Sequence, residues 1–377
     1  MQIFRFAIGN YKNLCYNKYM KKNNNFLEFL IVLIYGVFAI TVVIPMIVTA
    51  TIFKFVFGRR VNKTIHHLTP EDYPNLKTYP VKFKSGRNNL AAYFVVDKDI
   101  TEYKAVLIVA HGIGCSRAGY LNRYDYFARK GYLVFGFDCT GTFESEGKGL
   151  KGLTQSQVDL DNAIKYLDGI QELKQYKLLA YGHSWGGYGL ASELNNKTAE
   201  KLAGAATLSG FNDIWGICKY QMSRYAGKAV VLVKPWTYLH YFLLYGRKAM
   251  YKGIDGVNNY KGPVLVMHST DDKTVPYDSS VAIHYEKNKN PQAKFVILDD
   301  RGHTLSRPPE VEKEIKRLHK GKKTQLSLGK SNIFEYNVNV GYEYCERMTV
   351  FAIDEEFMDQ IDAFFMDVLT SAEVKSV

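Results

Sequence analysis

Lys177-Leu178-Leu179-Ala180-Tyr181-Gly182-His183-Ser184-Trp185-Gly186-Gly187 decides how this 377-residue chain is read. The run Lys177–Tyr181 is short and apolar, as a buried strand is, and Trp185 to about Leu194 reads as a helix. Between them stands the pattern G-x-S-x-G. A serine on a sharp strand-to-helix turn needs small residues two positions before and after it, because the backbone there is strained and side chains would collide. Its hydroxyl then projects above the sheet, and the first N–H groups of the helix face any negative charge that forms beside it.

A serine hydroxyl is a poor nucleophile until a base takes its proton, so a histidine and an orienting carboxylate must follow later in the chain. Val264–His268 reads as another buried strand and runs into Ser269-Thr270-Asp271-Asp272, while Gly302-His303 follows the next strand. The order Ser184, then Asp271 or Asp272, then His303 is the one this kind of sheet requires. Acyl transfer also needs two N–H donors for an oxyanion. The backbone of Trp185, directly after the serine, supplies one. The other falls to the Ile113 N–H in His111-Gly112-Ile113-Gly114, which follows the apolar run Ala105–Ala110.

Outward from this centre the chain alternates. Tyr79–Phe83 and Leu90–Val96 flank Ser85-Gly86-Arg87-Asn88-Asn89 and predict a hairpin. Further strands are predicted at Ala105–Ala110, Tyr132–Phe137, Gly204–Leu208, Val264–His268 and Lys294–Leu298. Helices are predicted at Tyr120–Lys130, Gln155–Leu167, Ser279–Lys287 and Asp354–Leu369. Such alternation predicts an α/β fold with a mostly parallel central sheet and helices on both faces. Residues 212–262 separate two strands by far more than the usual connection of roughly 2 to 6 residues, and read as an inserted lid. Residues 304–350 read as a second insertion.

Taken together, His111-Gly112, the stretch Asp138-x-x-Gly141-x-x-x-Ser145, the serine turn, Asp272-x-x-Val275-Pro276 and Gly302-His303 resemble the α/β-hydrolase superfamily. Within it they are most similar to the serine aminopeptidase/monoglyceride-lipase-like branch, over roughly residues 79–370. In that family the acid precedes x-x-Val-Pro, so the resemblance implies Asp272 rather than Asp271. The chain departs from the family stretch D-x-R-G-x-G-x-S in Thr140 and Phe143, which implies an altered pocket rim.

Hydrophobic residues make up 47% and charged residues 23%, ordinary globular usage that excludes a disordered chain. The net charge of +12 is unevenly placed: residues 1–63 hold nine Lys/Arg against Glu28, a balance of +8, leaving +4 for the other 314 residues. With no motif behind that charge, nucleic-acid binding is not expected. Five cysteines, odd in number and widely spaced, fit neither a disulfide framework nor a zinc site, and no metal or cofactor is expected. From Phe29 to Phe53, 25 consecutive residues carry no charge, and basic residues stand on both sides. About 20 apolar residues cross a bilayer, and a cleaved signal has a shorter apolar stretch nearer the start, so this is read as a single uncleaved membrane anchor. Five basic residues before it and four after leave the orientation undecided. The expected organisation is a basic segment (1–28), the anchor (29–53), a linker (54–76) and a hydrolase domain (77–377).

The resulting expectation is a membrane-anchored serine hydrolase. Ser184 attacks a carboxylic ester, a lipid ester or thioester included, through an acyl-enzyme; His303 is the base, Asp272 orients it, and the Ile113 and Trp185 N–H groups hold the oxyanion. A small-molecule or lipid ester is the expected partner, and oligomeric state has no signature in the sequence. Two alternatives stand beside it: a peptidase of the aminopeptidase kind, and a catalytically silent binding protein on the same fold. His183, His111 and Cys115 are read as local packing or loop-shaping residues. The lid carries eight basic residues against Asp213 and Asp255 and ten aromatics, a composition suited to an anionic lipid interface and equally to a packed, solvated lid.

Overall fold

The structure is a computed structural model and describes residues 24–61, 68–311, 313 and 351–374. Most of the basic segment 1–28 and of the second insertion 304–350 lies outside the described residues. The chain divides into two compact units, Met1–Ile52 and Phe53–Val377.

Among the described residues one helix, α1 (Asn24–Phe57), is long and apolar enough to cross a membrane. Within it Ala39–Val43 is wound as a π-helical turn just ahead of Pro45. Proline lacks an N–H and its ring crowds the carbonyl one turn back, and a wider turn relieves both.

The second unit is built on an eight-stranded sheet: β1 (Leu76–Ser85), β2 (Asn88–Asp97), β3 (Val106–Ala110), β4 (Leu133–Phe137), β5 (Leu178–His183), β6 (Leu202–Leu208), β7 (Val264–Ser269) and β8 (Ala293–Leu298). Their spatial order is β1-β2-β4-β3-β5-β6-β7-β8. The predicted hairpin forms β1 and β2, but its strands extend further, so that Ser85 pairs with Asn88 across a tip of only Gly86 and Arg87. Gly86 sits at φ +58°, as a two-residue hairpin turn demands. β1 with β2 and β2 with β4 are antiparallel, and all other pairs are parallel.

Strand alternation sorts side chains between two cores. In β3, Val106, Ile108 and Ala110 enter one, and Leu107 and Val109 the other. The first core is closed by α3 (Gln155–Asp168) and α4 (Trp185–Glu193) through Leu160, Ile164, Trp185 and Tyr188. The second is closed by α2 (Leu121–Arg129) and α8 (Glu355–Val374) through Tyr124, Phe127, Phe357 and Phe365. Helices therefore cover both faces, and the inner strands β3, β4, β5 and β7 are buried end to end, as the middle of a parallel sheet requires. Asp354 caps α8 by accepting the N–H of Phe357 at 3.0 Å.

Between β6 and β7 the lid holds α5 (Ile214–Ala226), α6 (Lys234–Tyr245) and α7 (Gly253–Asn259), with 3-10 turns between them. One expectation fails here: the helix predicted over Ser279–Lys287 is two short 3-10 turns, Tyr277–Ser279 and Ala282–Lys287. The Ser280 hydroxyl bonds the Tyr277 carbonyl and the Ile283 N–H, and His284 leaves helical geometry, so no α-helical ladder propagates.

Candidate active site

The serine turn is held by close packing of backbone on backbone. Ser184 lies at φ +58°, ψ −116°, a conformation that L-residues resist. A Cβ at Gly182 would strike the carbonyl oxygen of Gly186, and one at Gly186 would strike that of Ala110. At Gly187 it would stand 2.8 Å from the Leu208 oxygen. The glycines thus let α4 descend against β3 and β6 while the serine turns outward.

His303 Nε2 is 2.8 Å from Ser184 Oγ, and its Nδ1 is 2.7 Å from Asp272 Oδ2. The other carboxylate oxygen of Asp272 accepts the N–H groups of Thr274 and Val275 at 2.8 and 2.9 Å. Asp271 points elsewhere: its Oδ1 accepts from the Ser269 hydroxyl and the Gly302 N–H, tying together the loops that follow β7 and β8. Of the two candidate acids, only Asp272 lies against the imidazole. His268 Nε2 also lies 3.5 Å from Asp272 Oδ2, but its N–H donates to the Val275 carbonyl at 2.9 Å, and burial lowers its pKa against the pull of Asp272.

Gly112 passes directly beside the serine, since a Cβ there would be 3.3 Å from Ser184 Cβ. The Gly112 N–H is spent on Tyr120 Oη at 2.9 Å. Among the described residues, the N–H groups of Ile113 and Trp185 have no acceptor within the chain. The loop is shaped by His111, whose Nδ1–H donates to the Gly112 carbonyl and whose Nε2 accepts the Cys139 N–H. Burial pushes the His111 pKa down to about 4, so the ring is neutral and suited to both bonds.

Two groups of residues were not legible as functional. His183 does more than pack. Its Nε2 is 3.0 Å from the carbonyl of His303, and its Nδ1 is 2.6 Å from Tyr120 Oη. A carbonyl only accepts, so Nε2 carries the proton, and Nδ1 accepts from the phenol, which itself accepts from Gly112. Burial lowers the His183 pKa well below its usual value and keeps this neutral tautomer. The Ser209 hydroxyl donates to the same His303 carbonyl at 2.8 Å.

The second group surrounds Asp138. Arg117 donates to it from both backbone and guanidinium, and also pairs with Glu144 at 2.5 Å. Desolvation still pushes Asp138 up to about 6 against the pull of Arg117. The implied change of the pocket rim at Thr140 is corrected: Thr140 is fully buried and gives its N–H and hydroxyl to Asp159. Phe143 sits at φ +43°, in the left-handed region that glycine favours. No group of His, Cys, Asp and Glu capable of holding a metal occurs among the described residues.

A serine on a glycine-packed turn at the carboxyl end of a central parallel strand, with helices on both faces of the sheet, is the arrangement of the α/β-hydrolase fold. Residues 101–240, somewhat more than a third of the chain, match the family model described as "Serine aminopeptidase, S33". No curated protein matches the sequence. Among solved structures, the fold is similar to an esterase of Pyrococcus furiosus in three crystal forms. The first is 20% identical with a TM-score of 0.52, covering 71% of this chain and 98% of the esterase. The second is 20% identical with a TM-score of 0.51, covering 72% and 97%. The third is 19% identical with a TM-score of 0.51, covering 70% and 97%.

Proposed function

We propose that this chain is a membrane-anchored esterase that works through an acyl-enzyme. The observation that carries the reading is the single imidazole of His303 placed between Ser184 Oγ and Asp272 at 2.8 and 2.7 Å. In this reading His303 Nε2 takes the serine proton as Oγ bonds the ester carbonyl carbon. The carbonyl electron pair moves to oxygen and is held by the N–H groups of Ile113 and Trp185. Collapse of the tetrahedral species expels the alkoxide, which His303 protonates. Water, deprotonated by the same imidazole, then attacks the acyl carbon and releases the acid. Asp272 holds Nδ1–H throughout and stabilises the imidazolium.

The ester reading is favoured over a peptidase by the lid. A free α-amine calls for a carboxylate facing the substrate, and Asp213 is engaged as the cap of α5, accepting the Gly216 N–H at 2.8 Å and meeting Asn212. Asp255 is solvent-exposed on α7. The membrane part of the reading rests on α1 and the cations that flank it.

The test is fluorophosphonate labelling of the full chain beside Ser184→Ala. Labelling lost only in the variant supports an activated serine, and hydrolysis of acyl esters in preference to aminoacyl amides supports the esterase. A folded parent that takes no label overturns the enzyme reading. Release of aminoacyl amides at the faster rate overturns the ester assignment.

A further inference from the structure

The outer face of the lid is unusual for a surface in water. Among the described residues from Leu68 onward, eleven large hydrophobic side chains are exposed, and eight of them fall between Tyr225 and Met250. Leu232 is 75% exposed, Leu243 69%, Val231 53%, Leu244 51% and Phe242 48%. α6 is two-sided in an instructive way. Thr237 and Tyr241 point inward, and the Tyr241 hydroxyl accepts the Leu153 N–H, while Leu239, Phe242 and Leu243 point out. Monomeric soluble proteins seldom expose so dense an apolar patch, and one rimmed by polar groups marks a docking surface. The same stretch of chain also carries exposed Arg224, Lys228, Lys234 and Arg247.

Through the buried side of α6 the lid packs on Phe53, which belongs to the same unit. In the last turn of α1, Phe53 lies 4.3 Å from the His240 ring and 5.4 Å from the Tyr241 ring, centroid to centroid. The Phe57 carbonyl accepts the Lys151 N–H, and Tyr245 of α6 bonds the Lys151 carbonyl at 2.5 Å. Beside this junction is a cavity of about 510 Å³ lined by Arg60, Arg87, Lys148 and Lys151, with Glu146 its one carboxylate. That carboxylate is bonded to Asn89. Phe53, Phe57, α6 and Lys151 are thus joined by direct contacts within the second unit.

We infer that the outer face of α6 and the turn before it dock into an anionic phospholipid bilayer, with Leu232 and Leu243 among the acyl chains and the surrounding Lys and Arg at the headgroups. Burial of apolar area drives the insertion, and each cation near an anionic surface adds to it. The lid is also tied to the catalytic loop: Tyr220 and Gln221 of α5 donate to the carbonyls of Lys273 and Thr274, just after Asp272. This inference rests on the membrane-anchored reading.

The test uses the full chain in vesicles of phosphatidylcholine with phosphatidylserine, their acyl chains brominated. Leu243→Trp and Leu232→Trp are compared with the parent, with thermal melting as the control for folding. Flotation of the chain with vesicles after alkaline washing checks the anchor separately. The expected result is flotation together with strong quenching of the added tryptophan in both variants. Adding Lys228→Gln and Lys234→Gln is expected to reduce that quenching on the anionic vesicles. Flotation without quenching overturns lid docking and leaves the anchor standing, whether the patch is then bare or covered by a second copy. Failure to float overturns both. Undiminished quenching after removal of the two lysines overturns the anionic preference.

Discussion

His183 Nε2 meets the carbonyl of His303 at 3.0 Å, so the residue before the serine grips the backbone of the residue that would activate it. The contact belongs to a line that begins at the Gly112 N–H and passes through Tyr120 Oη and the His183 ring. One chain of hydrogen bonds thereby links the loop beside Ser184 to the loop that carries His303.

If that line positions His303, loosening it harms chemistry more than binding. His183→Ala is expected to lower kcat by about ten- to a hundredfold with little change in KM, as a displaced catalytic group does. His183→Gln, whose amide N–H reaches about as far as Nε2, is expected to recover part of the loss. Steady-state kinetics on a chromogenic ester decides this; equal loss in both variants, with an altered melting temperature, would point to a merely structural role.

The two neighbouring aspartates separate cleanly by substitution. Asp272→Asn removes the charge beside His303 Nδ1, and kcat is expected to fall by about 10⁴. Asp271→Asn touches only the hydrogen bonds to Ser269 and Gly302, and a loss of no more than about tenfold is expected. Rates of fluorophosphonate labelling report both.

Glycine packing at the serine turn has a measurable cost. Gly186→Ala forces a methyl onto the Ala110 and His111 carbonyls, and a loss of about 1–3 kcal/mol is expected in denaturant unfolding. Gly119→Ala is the matched control, because nothing lies within 4 Å of its added Cβ. A change below about 0.5 kcal/mol is expected there.

Glu193 gives the fold a pH dependence. It is fully buried on α4, and desolvation, aided by the nearby charge of Asp161, pushes its pKa from the ordinary 4.5 up to about 8. Its Oε2 accepts from Asn196 at 2.6 Å, whereas Oε1 has no partner. Between those two values the folded chain holds the proton that the unfolded chain has released, so this contribution to stability is lost as pH rises through the window. Glu193→Gln keeps the neutral shape. It is expected to melt near the parent at about pH 4.5 and to be more stable than it by about 2 kcal/mol near pH 8. Identical pH profiles would refute the assignment.

The strands and helices around Ser184 were readable because each is a local pattern: a short apolar run, a glycine pair, a period of 3.6. The hairpin boundaries and the failed helix at Ser279–Lys287 show where locality ends. Strand length is set by a partner strand, and a helix of eight or nine residues is overruled by the hydroxyl of Ser280 and the bend at His284. Thr140 illustrates the same limit, since its partner Asp159 lies 19 residues away and beneath the surface rather than at a rim.

By itself, then, the sequence determined the alternating α/β architecture, the serine turn, the order of Ser184, the aspartate pair and His303 along the chain, and a helix long enough to cross a membrane. Only tertiary structure decided which aspartate meets the imidazole, that His183 joins two loops, and which lid side chains stay exposed. The physical reason is separation along the chain: Ser184 and His303 are 119 residues apart, and His183 and His303 are 120. Whether two adjacent carboxylates point toward or away from a ring is fixed by loop backbones that close only once the sheet has formed. Adjacent residues share nearly the same composition and neighbours, so no local pattern distinguishes them; their hydrogen-bond partners do.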